Sequence, residues 1–349
     1  MSSYLASTPT LSGSLRQSIV DLQGELVRAQ KQVSTGRQAD LGVSLGLEVG
    51  RDISLGINDA DLTSIANTNN IVSTRLATTQ SALTSLQTTA SSIRSSLLSA
   101  INQTGNLGGI ASDARIALGN LISTLNTTDG NSYVFGGVNS TQPPINPYTD
   151  TPPSATKQAV DGAFQATFGF PQSDPNVSTI TATQIQNYLS GPLSDLFSNT
   201  NWRANWSNAS DTLLTSRISV SQTTTTSVSA NSSPFVQLAQ AYTALSSIAL
   251  DKLDKSTYTT AVSAIEQQVD NAISGLTGIQ TTVGVTQKNI DSANQTISIQ
   301  QNVIQDQIGT LENVDPAEAA TKVSNLTTQI ETAYTLTSKI QQLSLSKYL

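Results

Sequence analysis

Few side chains of this chain could carry out catalytic chemistry. The 349 residues include no histidine and no cysteine, so the commonest general base and two common metal ligands are absent. A nucleophile would have to be a serine activated by a lysine, and an acid–base pair would have to be two carboxylates. The composition therefore predicts no catalytic residue, no metal site and no enzyme activity.

Two pairs of carboxylates have a spacing that could suit acid–base work. They are Asp59 with Asp61, and Asp251 with Asp254. Both pairs lie at predicted helix boundaries, where solvated acidic side chains usually cap a helix. The glycine-rich segment 105–109 lacks the lysine of a phosphate-binding loop. We therefore expect neither an active site nor a bound cofactor.

A carbohydrate site is the one ligand site that the residue types leave open. Trp202 and Trp206 lie in residues 140–231, together with Asp161, Asp174 and most of the prolines and phenylalanines. Exposed indole rings could form a platform for a glycan, but aromatic rings in so small a segment more often form its core. The core is the favoured prediction, and the platform stays open as an alternative.

The elements that would position any site are long helices, since apolar residues recur at alternating steps of three and four. Two such stripes, over 62–100 and 262–311, are of matching length, and polar Asn69 and Thr79 interrupt the first. These helices are far longer than the average helix of a globular protein, and each needs an equally long partner. We expect these two to pair, which brings the two ends of the sequence together.

Shorter stripes lie at both termini. The first ends at Thr35-Gly36, and the last begins where Asp315, Pro316 and Glu318 have the spacing of a helix cap. A pair of such helices buries little surface, so we expect both to need neighbouring copies of the chain. The residues predicted at this subunit interface are Leu11, Leu15, Ile19, Leu22, Leu26, Val33, Val323, Leu326, Ile330, Ile340 and Leu343.

The predicted fold class is mainly α. Long antiparallel, coiled-coil-like helices come from the N- and C-terminal arms, and a small mixed α/β or β-rich domain is inserted between them. A turn at Asp129-Gly130 predicts a β-hairpin arm over 133–137, and glycines between 42 and 56 favour a loop with short helices. The predicted domains are 1–36 with 316–349, 37–139 with 234–315, and the insert 140–233.

The charge balance bears on partners. Only 12% of residues are charged, the net charge is −7 and the pI is near 4.6, which argues against nucleic acid. A surface with so few charges has little charge repulsion to prevent self-association. No apolar run approaches a membrane span, and residues 1–22 lack the pattern of a cleaved secretory signal.

Three short motifs resemble those of bacterial flagellin and its relatives, the hook-associated proteins. Residues 34–37 (Ser-Thr-Gly-Arg) resemble the turn after the family's first helix, and residues 311–315 (Leu-Glu-Asn-Val-Asp) resemble the link before its last helix. Residues 133–137 (Tyr-Val-Phe-Gly-Gly) and the ending 343–349 are most similar to the hook–filament junction members, with flagellin second. The resemblance covers both arms, 1–137 and 234–349, and is weak across the insert. The chain lacks flagellin's Asp-Asp-Ala-Ala-Gly stretch.

The resemblance implies a structural subunit of the bacterial flagellum, an adaptor between hook and filament that self-assembles into a helical tube. It implies a hook-type junction protein and flagellin as neighbours, export through the flagellar type III apparatus with a chaperone, and an extracellular location without a cleaved signal peptide. Two alternatives remain: a flagellin filament subunit, and a cell-surface glycan-binding protein on a flagellin scaffold.

Overall fold

The chain folds almost entirely into α-helices. A computed structural model describes residues 8–102, 107–130 and 132–345. The α-helices of this part are α1 (Thr8–Thr35), α2 (Leu41–Leu45), α3 (Val49–Asn102), α4 (Leu107–Leu125), α5 (Ala155–Phe168), α6 (Ala182–Ser190), α7 (Pro192–Leu196), α8 (Asn199–Asn201), α9 (Ser233–Ser247), α10 (Lys255–Glu312) and α11 (Pro316–Leu345). A two-stranded antiparallel sheet joins β1 (Thr215–Arg217) to β2 (Thr223–Thr225).

The first long helix starts earlier than the glycines suggest. The expectation of a loop with short helices holds only for 41–48, because α3 begins at Val49 and runs through Gly50 and Gly56. Neither of these glycines has a positive φ, whereas Gly46, just before the helix, has φ +55°. A glycine inside a helix costs about 1 kcal/mol relative to alanine. This cost is small beside the stability of a helix of 54 residues.

The two long helices pair, as the matching stripes predict, and they run antiparallel. Arg94 on α3 donates from Nε to Glu266 Oε1 on α10 at 2.8 Å, and Gln87 Nε2 donates to Thr277 Oγ1 at 3.1 Å. Rising numbers on one helix therefore meet falling numbers on the other. The predicted fold class is confirmed.

The chain forms two compact units. The terminal unit consists of Met1–Thr63 and Ser298–Leu349, and the central unit of Ser64–Ile297. These limits fall inside α3 and α10, away from the predicted boundaries at 36 and 315, and the three-part division stays a prediction.

One continuous apolar core fills the central unit. It extends from α3 and α10 through α4 and α9 into the insert, where Phe164 and Tyr188 meet edge to face at 5.5 Å. The described regular structure of the insert is mainly helical, with β1 and β2 as its strands. Strand β1 runs into Ile218, which is fully buried.

A polar side chain interrupts this core at Asn69. It is fully buried, and its Nδ2 donates to Ile218 O at 2.9 Å and to Asn294 Oδ1 at 2.8 Å. A buried amide in a helical seam favours one register, because a slipped pairing would leave its donors unsatisfied. Asn69 therefore connects α3 both to α10 and to the segment that follows strand β1.

We expect Asn69→Ala to lower the free energy of unfolding of the central unit by about 1–3 kcal/mol, since Ile218 O would lose its buried donor. Urea unfolding followed by tryptophan emission measures this change, because both tryptophans lie in the central unit. Asn70 is exposed, so Asn70→Ala is the matched control and should change stability by less than about 0.5 kcal/mol. Equal effects at the two positions would contradict a role for Asn69 in register.

Threonines on the helix surfaces bond to their own helices. The hydroxyls of Thr74, Thr88, Thr281, Thr328 and Thr332 each donate to the carbonyl four residues earlier, at 2.8–3.1 Å. This local bond is available to threonine because its hydroxyl lies close to the preceding turn.

Among the described helices, none has the length and hydropathy needed to cross a membrane.

Candidate assembly interface

The terminal unit is built on the pairing of α1 with α11. Ile19, Leu326 and Ile330 are at most 9% exposed, and Gln23 Nε2 donates to Tyr334 Oη across the pair at 2.9 Å. The other predicted interface residues whose side chains are described are partly buried, except for one exposed valine: Leu15, Leu22, Leu26, Val323 and Ile340 are partly buried, and Val33 is 40% exposed. The predicted residues Leu11 and Leu343 lie outside the described side chains.

The predicted stripes thus already face each other within one chain. Their participation in contacts between copies stays a prediction. Apolar side chains left half-buried by a two-helix pair would gain burial from a neighbour.

Helix α1 carries a second apolar face that sequence reasoning missed. Val20 is 55% and Val27 64% exposed, and at 100° per residue they lie about 120–140° around the helix from the centre of the stripe that faces α11. Gly13 and Gly24 share this second face, with open space where a Cβ would stand. The spacing 13, 20, 24, 27 follows the same alternation of three, four and seven, and this signal was available in the sequence.

The turn after α1 and the link before α11 lie side by side. Gln38 N donates to Glu312 O at 2.7 Å and Val314 N donates to Gly36 O at 2.9 Å, which makes a short antiparallel bridge between Arg37 and Asn313. Gly36 has φ +69°, a conformation that glycine adopts without strain. Two of the three sequence motifs therefore meet at one point.

At the start of α11, Asp315 caps the helix as predicted. Its Oδ1 accepts from Ala317 N at 2.8 Å, and Pro316 is the first helical residue. A capping carboxylate and a proline at this position both favour a helix start.

The third motif, 133–137, is a packed turn of the central unit. The predicted hairpin arm is wrong as a regular element, because its described residues form only single bridges, Thr128 to Tyr133 and Gly136 to Ser229. Phe135 is fully buried and meets Phe235 edge to face at 5.6 Å.

Two contacts explain the residue types of this turn. Arg75 on α3 donates from Nη2 to Tyr133 O at 2.8 Å, and burial lowers the pKa of its guanidinium, against the opposing effect of Asp129. A Cβ on Gly137 would lie 2.6 Å from Ser210 O and 2.7 Å from Thr212 O, and one on Gly136 would lie 2.6 Å from Asn139 O. Only glycine fits at either position.

The tryptophans belong to the core of the insert. Trp202 and Trp206 are 1% and 2% exposed and stack on each other at 5.5 Å. Trp202 Nε1 donates to Asn231 Oδ1 at 3.1 Å, and Ser207 Oγ donates to the same oxygen at 2.6 Å. The alternative of an exposed indole platform for glycans is therefore wrong, and the prediction of a core is confirmed.

The carboxylate pairs show no catalytic arrangement. Asp254 caps α10, and the hydrogen bond from the Thr257 hydroxyl is the largest cause of its lowered pKa. Asp59 and Asp61 lie inside α3 rather than at the predicted helix boundary. Within the described part of the chain, no cluster of three acidic side chains could hold a metal ion.

Known protein families match both arms. The model of the bacterial flagellin N-terminal helical region matches residues 6–140, and that of the C-terminal helical region matches residues 266–349. Together these cover more than half of the chain. The chain belongs to the bacterial flagellin family. As a member of the flagellin family it is a structural component of the bacterial flagellum, which is an extracellular assembly.

Solved structures have the same fold at low sequence identity. A putative flagellar hook-associated protein from Vibrio parahaemolyticus is 10% identical with a TM-score of 0.52, over 76% of this chain and 97% of that one. FlgL from Xanthomonas campestris is 11% identical with a TM-score of 0.50, over 72% of this chain and 98% of that one. No curated protein sequence matches this flagellin-family chain.

Proposed function

We propose that this flagellin-family chain is the adaptor subunit at the junction between hook and filament. The observation that carries the proposal is the likeness of the fold to a hook-associated protein, over 97% of that protein's chain. The motif 133–137 is a second support, since it resembles that of the junction members. Its Phe135, Gly136 and Gly137 each have a packing role in the central unit.

Assembly is the mechanism of this function. The α1–α11 pair leaves Val20 and Val27 exposed, together with Tyr334 and Leu336 on α11. Burial of such side chains against neighbouring copies contributes about 25 cal/mol per Å² of apolar area. Because few residues are charged, little electrostatic repulsion opposes the contact between copies.

An adaptor requires two different neighbours. One side of the assembled ring contacts a hook-type junction protein and the other contacts flagellin. The chain reaches this position by flagellar type III export, held unfolded by a chaperone and without a cleaved signal peptide. The absence of cysteine is compatible with this route, since no disulfide has to be reduced beforehand.

Deleting the gene should leave hooks intact and bare, while flagellin is still made and released into the medium. Electron microscopy of the deletion strain, with a blot of its medium for flagellin, measures both effects. Restoring the intact gene should restore filaments. Hooks that still carry filaments would overturn the adaptor role.

The second candidate is a flagellin filament subunit, since the matched family models describe flagellin itself. Immunogold labelling of intact flagella separates the two candidates by position. An adaptor is labelled only where hook and filament meet. Label along the whole filament would overturn the junction and establish the filament subunit.

A further inference from the structure

The point where α1 ends and α11 begins contains an ion pair that the family motifs do not by themselves reveal. Arg37 Nη1 lies 2.9 Å from Glu312 Oε2. Arg37 is the last residue of the first motif, and Glu312 is the last residue of α10. Both residues belong to the terminal unit. The turn after α1 and the link before α11 are thus joined through side chains as well as through the backbone bridge.

The two partners differ in burial. The side chain of Glu312 is 13% exposed and that of Arg37 is 62% exposed. A carboxylate withdrawn from water is costly unless a cation or hydrogen-bond donor replaces the water. Arg37 is the cation that meets it in the described chain, so loss of Arg37 has a larger effect than loss of an exposed ion pair.

Further bonds hold Arg37 itself in place. Lys31 Nζ donates to Ala39 O at 3.1 Å, and Gln32 Nε2 donates to Gln38 Oε1 at 3.0 Å. Both bonds connect the last turns of α1 to the segment that follows Arg37. The direction in which the chain leaves α1 is therefore fixed by side chains of α1.

We infer that Arg37 and Glu312 are positioning residues, which fix the direction of the α1–α11 pair relative to the adjoining ends of α3 and α10 within the terminal unit. The two backbone hydrogen bonds alone would allow the α1–α11 pair to rotate about the line that joins them. The ion pair adds a side-chain contact outside the backbone bridge and restricts this rotation. Assembly needs a defined direction, because a copy presents its terminal helices to neighbours at one angle only. The inference rests on the proposed assembly through the terminal helices and not on the place of the chain in the flagellum.

A charge exchange in the full-length protein tests the pair. The variants are Arg37→Glu, Glu312→Arg and the double exchange, with Arg37→Met as a neutral variant that leaves Glu312 in its native setting. The exposed pair Arg51 and Glu48, 3.7 Å apart, is the matched control, through Arg51→Glu. Because the chain has no cysteine, spin labels can be placed uniquely at Ile57→Cys and Thr328→Cys, both exposed positions of the terminal unit.

The distance between the two labels should have one narrow distribution in the parent protein. We expect Arg37→Glu and Arg37→Met to broaden it and to lower incorporation into flagella by about tenfold or more, the factor that corresponds to losing a hydrogen bond to a charged group. The double exchange should restore both measurements at least in part, and Arg51→Glu should change neither. A purely local structural role would leave the distance distribution of the Arg37 variants unchanged.

Three results would overturn the inference. They are an unchanged distance distribution in both Arg37 variants, equal damage from Arg51→Glu, or lost incorporation with the parent distance distribution. Failure of the proposed junction function is a separate result. Immunogold label along the whole filament would overturn that function, and the double charge exchange could still restore the distance distribution and the incorporation.

Discussion

Ile330→Asp should abolish incorporation into flagella while leaving the central unit folded. Ile330 is 9% exposed in the α1–α11 pair, so an aspartate there puts an unpaired carboxylate against apolar side chains. The cost is about 3 kcal/mol or more within a single chain, and burial by neighbouring copies increases it. Export should persist, because the proposed export route carries the unfolded chain. Secreted and flagellum-bound protein, compared by blot, measure the two steps.

Two controls make this result specific. Ile330→Leu conserves apolar volume and should incorporate normally. Tryptophan emission on unfolding should be the same in all three proteins, because Trp202 and Trp206 lie in the central unit. Normal incorporation of the aspartate variant would show that this stripe lies outside every subunit contact.

Gly137→Ala should destabilise the central unit by about 3–5 kcal/mol. About 1–2 kcal/mol comes from the left-handed conformation, φ +62°, which a Cβ disfavours. The remainder comes from the carbonyls of Ser210 and Thr212, within 2.7 Å of the new Cβ, since backbone cannot move aside as a side chain can. Urea unfolding followed by tryptophan emission measures the change in free energy.

Gly130 separates the two causes. It also has a positive φ, +111°, but nothing lies within 4 Å of its Cβ position. Gly130→Ala should therefore cost only the conformational part, about 1–3 kcal/mol. If the two alanine variants have equal stability, close backbone approach does not explain the glycine of the 133–137 turn.

The long helices were predictable because their signal repeats. Over 62–100 and 262–311 each apolar residue confirms the phase set by the one before, and Asn69 and Thr79 occupy buried positions, both fully enclosed. The cap at Asp315 was predictable for a similar reason, because side-chain type and spacing act within one helical turn. Such local and periodic rules need no knowledge of distant contacts.

Other features depended on contacts that sequence spacing does not reveal. Helix α3 starts at Val49 and continues through two glycines as part of a 54-residue helix. The turn at 133–137 takes its shape from Arg75 and Ser229, which are distant in sequence. The ion pair of Arg37 with Glu312 joins residues 275 positions apart. The second apolar face of α1 was detectable by period, but two valines among glycines make a weak stripe.

The self-bonded threonines affect how the assembled structure responds to its surroundings. A hydroxyl already donated to its own helix, as in Thr328 and Thr332, offers a neighbouring copy only a methyl group and oxygen lone pairs. Contacts of this kind contain no charges for dissolved ions to screen, whereas surface ion pairs weaken as salt increases. If copies contact each other through such threonines, we expect the strength of that contact to change little with salt concentration.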